Sequence, residues 1–364
     1  MKAVILIGGE ATRLRPLTCN VPKAMVPVLN TPFLVHVIHH LHSHQVKDII
    51  LAHSSFSPPI EGYLKDGSQL GVKLNYSIED VPLGTAGAIK NAEEYLGETF
   101  LVLNGDIFTD LDITAMIDFH LESKSKATIA LTPVDDPTSY GLIETNAQDR
   151  ITRFLEKPSW NQITTNMINA GTYVLEPEVL TKIPSQSNFS FERELFPLLL
   201  EQEEPIYAYP SSAYCIDMGT PEKYLQLNQD LLSGKSSQHY LAAGEEVVIG
   251  EQSNIHPTAQ ITGPVLIGKN CSIEQSVKLT GPTVIGHCCT ILKDSVIEQS
   301  VIWRDAQVGL RVRLKNSIVA DNCCLNDNSI IEDSVLGDYV TVTSGCKLQP
   351  GSRIWPGTIV EAKT

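Results

Sequence analysis

From residue 249 to the end of the chain an apolar side chain returns every sixth position, a period that neither an α-helix nor an alternating strand produces. Ile249, Ile255, Ile261, Ile267, Ile273, Leu279, Ile285, Ile291, Ile297 and Trp303 keep the beat. Four places after each of the first nine stands a small or β-branched residue: Ser253, Ala259, Val265, Cys271, Val277, Thr283, Cys289, Ser295 and Val301. Ile-Gly recurs at 249, 267 and 285, a spacing of 18 that fits a triangular coil with three six-residue faces. The beat resumes at Val312, Ile318, Cys324, Ile330, Leu336, Val342, Leu348, Ile354 and Val360. The nine-residue step from Trp303 to Val312 predicts about three inserted residues, a small loop or register slip near Ala306 to Arg311. Accidental spacing in a β-sandwich is the weaker alternative, because two long runs share one period. Residues 248–364 should therefore form a parallel β-helix of about six coils, each rising roughly 4.8 Å.

The pattern resembles the left-handed hexapeptide-repeat β-helix, and its handedness rests on that resemblance. Exposed strand edges at the ends of such a coil favour self-association, so a homo-oligomer through this domain is expected. Upstream, short apolar runs alternate with amphipathic stretches, the signature of an α/β domain. Ala3 to Ile7, Ile49 to Ala52 and Phe100 to Leu103 read as strands, and Pro32 to His44 and Thr85 to Tyr95 as helices. The fold class expected is a Rossmann-like α/β domain with a mostly parallel sheet over 1–232. A polar linker at 233–247, opening Ser233-Gly234-Lys235-Ser236-Ser237-Gln238, leads to the β-helix at 248–364.

A formal charge of −15 excludes a protein that coats nucleic acid or an anionic membrane, so any phosphate must be held locally. No apolar run reaches the roughly 20 residues of a membrane span, and the opening MKAVILIGG lacks the form of a signal peptide. The eight cysteines show no CxxC pair. A cytoplasmic chain with reduced thiols is expected.

Local phosphate-holding chemistry stands directly after the first strand, in Gly8-Gly9-Glu10-Ala11-Thr12-Arg13-Leu14-Arg15-Pro16-Leu17-Thr18. Glycines let backbone N–H groups approach an anion, Arg13 and Arg15 add planar donors, and Lys23 adds a point charge. The spacing fits neither a Walker A loop nor a dinucleotide GxGxxG. A tight turn with solvated arginines would look the same. Asp106, after Leu103-Asn104-Gly105, also falls at a strand's carboxyl end, where ligands of open α/β sheets bind.

GGEATRLRPLT followed by PKAMVPV resembles the GGxGTRLRPLT and PKP signature of sugar-1-phosphate nucleotidyltransferases. The likeness continues through Leu83-Gly84-Thr85-Ala86-Gly87, Leu103-Asn104-Gly105-Asp106, Phe154-Leu155-Glu156-Lys157-Pro158, Ile168-Asn169-Ala170-Gly171 and Ile216-Asp217-Met218-Gly219-Thr220-Pro221. With the repeat tail included, the chain is similar to the mannose-1-phosphate guanylyltransferase group. The resemblance implies attack of a sugar 1-phosphate on the α-phosphorus of a nucleoside triphosphate, with GTP and mannose 1-phosphate the first choice and dTTP or UTP with glucose 1-phosphate next. It implies Mg²⁺ on Asp106 and Asp217, with Arg13 and Lys23 neutralising the triphosphate. It assigns Leu6, Gly8, Gly9, Thr12, Arg13, Lys23, Gly84 and Thr85 to the nucleotide, and Asn104, Gly141, Glu156, Lys157 and Asn169 to the sugar phosphate. Blander readings exist for each group: aspartates as helix caps, Glu156-Lys157 as a solvated pair, Gly84-Thr85 as a helix start, and Gly141 and Asn169 as turn residues.

Two positions depart from the family pattern: Ala11 replaces the third loop glycine and Ala24 the second proline of PKP. The first bears on loop shape, since alanine disfavours positive φ. His36, His40 and His44 share a helical face, but the helix's apolar residues explain its burial without a metal. His287 in the tail admits a bifunctional uridylyl- and acetyltransferase, and a non-catalytic regulatory subunit on the same scaffold is a second rival. The latter should have lost some of Arg13, Lys23, Asp106, Lys157 and Asp217, all of which are present.

Overall fold

The computed structural model describes residues 1–9, 11–54, 60–156, 158–238 and 246–362. Its contacts divide into two compact units, one of Met1–Gly9 with Leu34–Cys215 and one of Glu10–Phe33 with Ile216–Thr364. Of the expected linker at 233–247, residues 239–245 lie outside the described residues.

In the first unit the apolar run Lys2–Ile7 forms β1, buried because parallel neighbours flank it on both sides. Asp48–Ser54 (β2) and Lys73–Glu79 (β3) extend the sheet on one side, and Phe100–Asn104 (β4) pairs β1 on the other. The sheet then turns antiparallel. After the short Ile107–Thr109 (β5) come Ala127–Pro133 (β6), Gly141–Thr145 (β7), Ile151–Glu156 (β8), Met167–Leu175 (β9) and Ile206–Pro210 (β10). The order is β8-β7-β9-β4-β1-β2-β3, with β6 pairing both β9 and β10. The Rossmann-like domain expected from sequence is therefore present, its parallel centre carrying the motif-bearing strand ends. Helices Phe33–Ser43 (α1) and Gly84–Asn91 (α2) fall where the sequence places them, and Ile113–Ser123 (α3) is a further helix that the sequence reading did not place. The core runs through Val4, Ile50, Phe100, Val102, Tyr173, Phe191 and Phe196.

The second unit contains three parallel sheets of seven, seven and five strands, as a left-handed parallel β-helix requires. Its interior is a column that includes Ile267, Ile273, Leu279, Ile285, Ile291 and Ile297, as the six-residue beat predicts. Beyond Ile297 the expectation fails in detail. No three-residue insertion follows Trp303. The interior continues through Ile302, Val308, Leu314, Val319, Leu325, Ile331 and Leu336, so one step per coil shrinks from six to five. Register shows the same: Val265 pairs Thr283, 18 residues on, whereas Val301 pairs Ile318 and Ile318 pairs Val335, each 17 on, before Val335 pairs Arg353 at 18.

The misreading has a physical cause. Two columns are buried, one pointing to the centre and one near the corners, and both accept aliphatic side chains. Val312 and Ile318 are fully buried but belong to the corner column, where the Ser295 hydroxyl accepts the Val312 N–H at 3.0 Å. Corner residues take positive φ in register, at Gln252, Asn270, Cys288, Asp305, Asn322, Tyr339 and Gly357. Asn, Asp and Gly suit that left-handed turn, which explains their recurrence at these corners.

Candidate active site

The second unit gathers the cations of the glycine-led segment around one carboxylate. Thr12–Leu14 and Lys23–Met25 form 3₁₀ turns, the latter following Pro22, whose fixed φ suits a helix entry. From these turns Lys23 Nζ reaches Asp217 Oδ1 at 3.4 Å, and Arg13 Nη2 stands 3.9 Å from Oδ2. Lys23 is only 14% exposed, whereas Arg13 is 72% exposed, so the lysine is a fixed charge and the arginine is free to swing. Asp217 ends Cys215–Asp217 (β11), four residues before helix Pro221–Leu232 (α4), whose start is capped by the Thr220 hydroxyl accepting the Lys223 N–H. Gly219 leaves room for these charged ends: a Cβ would lie 2.8 Å from Asp217 Oδ2 and 3.0 Å from Arg13 Nη2, so a side chain there would push them aside. Thr12 is exposed on the same turn.

Ala11 adopts φ 46°, ψ 38°, the left-handed conformation a glycine would take without strain. Its carbonyl accepts from the Leu14 N–H at 3.1 Å and the Thr18 hydroxyl at 2.9 Å. The substitution keeps the loop shape at a local cost. Ala24 is buried, at 2% exposure, in the turn that orients Lys23.

In the first unit, Gly8 and Gly9 follow β1 with open space where a Cβ would stand. Leu6 lies opposite Asn104 in register, and its carbonyl accepts the Gly105 N–H at 2.8 Å. Asp106 sits in the turn between β4 and β5. Two residues before it, Asn104 Oδ1 is buried and has no hydrogen-bond partner among the described residues, as for a group that takes a ligand or water. Gly141 pairs Glu156 across β7 and β8, and Ile168 pairs Leu142, so Gly141, Glu156 and Asn169 fall on adjoining strands. Four of the five residues expected at the sugar phosphate thus share one edge of the sheet, while Lys157 lies outside the described residues.

Asn169 is held rather than loose. Its Nδ2 donates to the Tyr173 hydroxyl at 2.8 Å and its Oδ1 accepts the Gly171 N–H at 2.9 Å. The Tyr173 hydroxyl donates in turn to Glu192 at 3.2 Å. Burial, then the nearby Glu192 carboxylate, pushes the Tyr173 phenol up. Glu192 lies in the π-helical turn Phe191–Leu195, accepts from the Ser190 hydroxyl at 2.8 Å, and stands 3.5 Å from the Thr85 hydroxyl. Sequence reasoning missed Glu192, whose partners Tyr173 and Thr85 lie far from it in the chain. Thr85 itself accepts the Phe191 N–H at 2.9 Å, and the Phe189 carbonyl accepts the N–H groups of Ala86 and Gly87. Gly84, with φ 71°, lies against that carbonyl, so the start of α2 also serves as a structural junction.

His36 and His40 of α1, and His44 just after it, each meet a protein partner. His36 lies edge-on to Phe108, His40 Nε2 meets the Leu111 carbonyl at 2.9 Å, and His44 Nδ1 meets the Thr114 hydroxyl at 2.8 Å. Among the described residues no group of three or more His, Cys, Asp or Glu side chains is placed to hold a metal. His287 Nδ1 accepts the Lys269 N–H at 2.9 Å, a turn-stabilising role.

Comparison with known proteins agrees with this chemistry. Residues 2–234 match the nucleotidyl transferase family and residues 243–363 the GMPPB C-terminal domain. Mannose-1-phosphate guanylyltransferase of Mycobacterium tuberculosis is 35% identical over 98% of this chain and 95% of its own. Mannose-1-phosphate guanyltransferase of Candida albicans is 38% identical over 97% of each chain, and UTP–glucose-1-phosphate uridylyltransferase of Synechocystis 34% over 90% and 89%. Among solved structures, HddC from Yersinia pseudotuberculosis complexed with GMP-PN superposes with a TM-score of 0.55 at 33% identity, covering 63% of this chain and 98% of its own. By the family match over residues 2–234 and by relatives that span nearly the whole chain, this chain belongs to the nucleotidyl transferase family and is a sugar-1-phosphate nucleotidyltransferase.

Proposed function

We propose that the enzyme transfers GMP from GTP to mannose 1-phosphate, giving GDP-mannose and pyrophosphate. The observation that carries the reaction is the placement of Lys23 and Arg13 at 3.4 and 3.9 Å from Asp217. The relatives named for guanylyl transfer support the choice of base and sugar. A phosphate oxygen of mannose 1-phosphate forms a bond to the α-phosphorus, the bond to the bridging β-oxygen breaks, and pyrophosphate leaves with the electron pair. The nucleophile is already an anion, so no general base is needed. Positioning and charge neutralisation are the catalytic tasks.

Arg13 swings from the carboxylate to the incoming phosphates as a bidentate clamp, and Lys23, held in place, supplies a point charge. The family resemblance assigns Mg²⁺ to Asp106 and Asp217, whose carboxylate oxygens are the donor type that this cation takes alongside water and phosphate. Such an ion would supply positive charge against the charge that develops on the phosphates. Asn104, with its buried acceptor, and Asn169, locked by Tyr173 and Gly171, orient the sugar phosphate together with Gly141, Glu156 and Lys157.

The test is pyrophosphate release with GTP, dTTP, UTP, ATP and CTP against mannose and glucose 1-phosphates in Mg²⁺. Highest kcat/KM is expected for GTP with mannose 1-phosphate; turnover with dTTP or UTP and glucose 1-phosphate alone overturns that pairing. Asp217→Asn should lower kcat by roughly 10²–10³. Acetylation of glucosamine 1-phosphate, or inertness with every pair, would instead favour the bifunctional or the regulatory reading. We further propose a cytoplasmic homo-oligomer assembled through the β-helix. Support comes from exposed Trp355 and Ile359 on the last coil and from cysteines that form no disulfide; a monomeric mass by light scattering would oppose it.

A further inference from the structure

The last coil of the β-helix reaches the phosphate loop through one side chain. Arg353 opens the strand Arg353–Ile354, and Ile354 beside it packs against the interior column, which anchors the backbone. From there Arg353 Nη1 donates to the Arg13 carbonyl at 3.3 Å, and Nη2 donates to Glu222 Oε1 at 2.9 Å. These two partners come from opposite sides of the same charge cluster. Arg13 carries the swinging guanidinium of the loop, and Glu222 stands in the first turn of α4, five residues after Asp217.

Only a planar, forked cation can meet both acceptors at once. The interaction with Arg13 is through its backbone, so it fixes where that side chain starts without competing for its charge. Nearby bonds follow the same plan. Asn20 Nδ2 donates to Asp338 Oδ2 at 2.8 Å, Asn30 Nδ2 to the Ile285 carbonyl at 2.8 Å, and Asp338 Oδ1 accepts the Asp321 N–H at 3.2 Å. The segment 11–33 is tied to coils of the repeat at its beginning, middle and end.

We propose that Arg353 is a positioning residue for nucleotidyl transfer, holding the Arg13 loop and the helix after Asp217 in mutual register so that the nucleotide's phosphates meet a preformed site. The repeat domain then has a catalytic consequence as well as a structural one. This inference rests on the nucleotidyl-transfer reading above.

The test compares wild type with Arg353→Ala, Arg353→Lys and Glu222→Gln in the full-length protein. Arg353→Ala should raise KM for the preferred nucleoside triphosphate about tenfold and lower kcat severalfold, with KM for the sugar 1-phosphate and the thermal midpoint unchanged. Lysine, which can meet only one acceptor, should restore part of the loss, and Glu222→Gln, which keeps the Arg13 contact, should lose less than alanine at 353. A lowered melting point with unchanged KM for both substrates would mean a structural role and would overturn the proposal. Amide hydrogen exchange reads the same contact without turnover: Leu14 and Arg15 N–H groups should exchange at least fivefold faster in Arg353→Ala, while those of Ile285 and Val308 do not change. If wild type proves inert with every substrate pair, the functional reading fails by that result. The exchange experiment still decides the clamp, and unaltered exchange at Leu14 and Arg15 refutes it.

Discussion

At the scale of the residue, Ala11 decides how far this chain can depart from its family's pattern. A left-handed alanine costs roughly 1–2 kcal/mol, because its Cβ crowds the following carbonyl. Glycine would remove that cost but return about 0.4–1 kcal/mol through the freedom it adds to the unfolded chain. The strain term is the larger, so Ala11→Gly should stabilise the protein by up to about 1 kcal/mol and leave kcat within about threefold. A destabilised variant in chemical denaturation would show that the observed φ of 46° carries no strain. The site's charged residues were legible because each stands in a short motif whose order survives in sequence. Arg13, Lys23 and Asp217 do come together, although the two lysine and aspartate positions are 194 residues apart. Glu192 and Arg353 were not legible. Their partners, Tyr173 and the Arg13 carbonyl, become neighbours only through tertiary folding, and a lone Glu or Arg in a strand or helix resembles any solvated charge.

Among the elements, α1 shows how burial converts a histidine row into a pH-dependent support. Burial, reinforced by the like charge of His44, lowers the His40 pKa to about 4, against the opposing pull of the Leu111 carbonyl and of Asp110 and Asp112. The folded helix therefore keeps His40 neutral where the unfolded chain binds a proton. Below the unfolded value near 6.5 the unfolded state takes up that proton, so stability falls as pH drops from about 6.5 to about 4. A gap of about 2.5 pKa units corresponds to roughly 3 kcal/mol over the whole window. Denaturant titrations between pH 7.5 and 4.5 should show this decline, and His40→Gln, which can still donate to the Leu111 carbonyl, should flatten it by about one proton's worth. His120, also lowered by burial, contributes a slope that the variant leaves in place. An unchanged slope in His40→Gln would remove His40 from the account. Three strands of the parallel centre, Lys2–Ile7, Asp48–Ser54 and Phe100–Asn104, and helix α1 were readable from periodicity to within one or two residues, whereas the antiparallel strands from Ala127 on were not read. The phase of the repeat beyond Ile297 was not, because a five-residue step and a second buried column of aliphatic residues imitate an insertion.

For the whole molecule, the packing of the chain does not follow its linear order. Residues 10–33 and 216–238 form a compact unit with the repeat, although they carry motifs of the nucleotidyl transferase family that spans 2–234. The junction centres on Tyr224 in α4, fully buried, whose hydroxyl donates to the Pro27 carbonyl at 2.6 Å and accepts from Trp303 Nε1 at 2.8 Å. A chain ended at Gln238 would keep the first of these bonds and lose the second, together with the Asn20–Asp338, Asn30–Ile285 and Arg353 contacts. It would also uncover the part of α4 that packs on the strand Thr283–Ile285. Loss of the buried Trp303 partner costs about 1–3 kcal/mol, and the part-buried Asn20 and Asn30 bonds go with it, enough together to loosen the segment that bears Lys23 and Arg13. HddC, which aligns over 98% of its own length with only 63% of this chain, shows that the family's catalytic fold can occur in a shorter chain. The prediction for this sequence is accordingly specific. A 1–238 fragment should retain the secondary structure of its sheet by circular dichroism, yet lose at least about 100-fold in kcat/KM, with the loss concentrated in the nucleoside triphosphate term. Adding residues 239–364 in trans should not restore it, since the coils must be tied to the loop within one chain at high effective concentration. A fragment with the full chain's kcat/KM would mean that the loop and α4 hold their geometry unaided, and that the repeat's bonds to them are incidental to transfer.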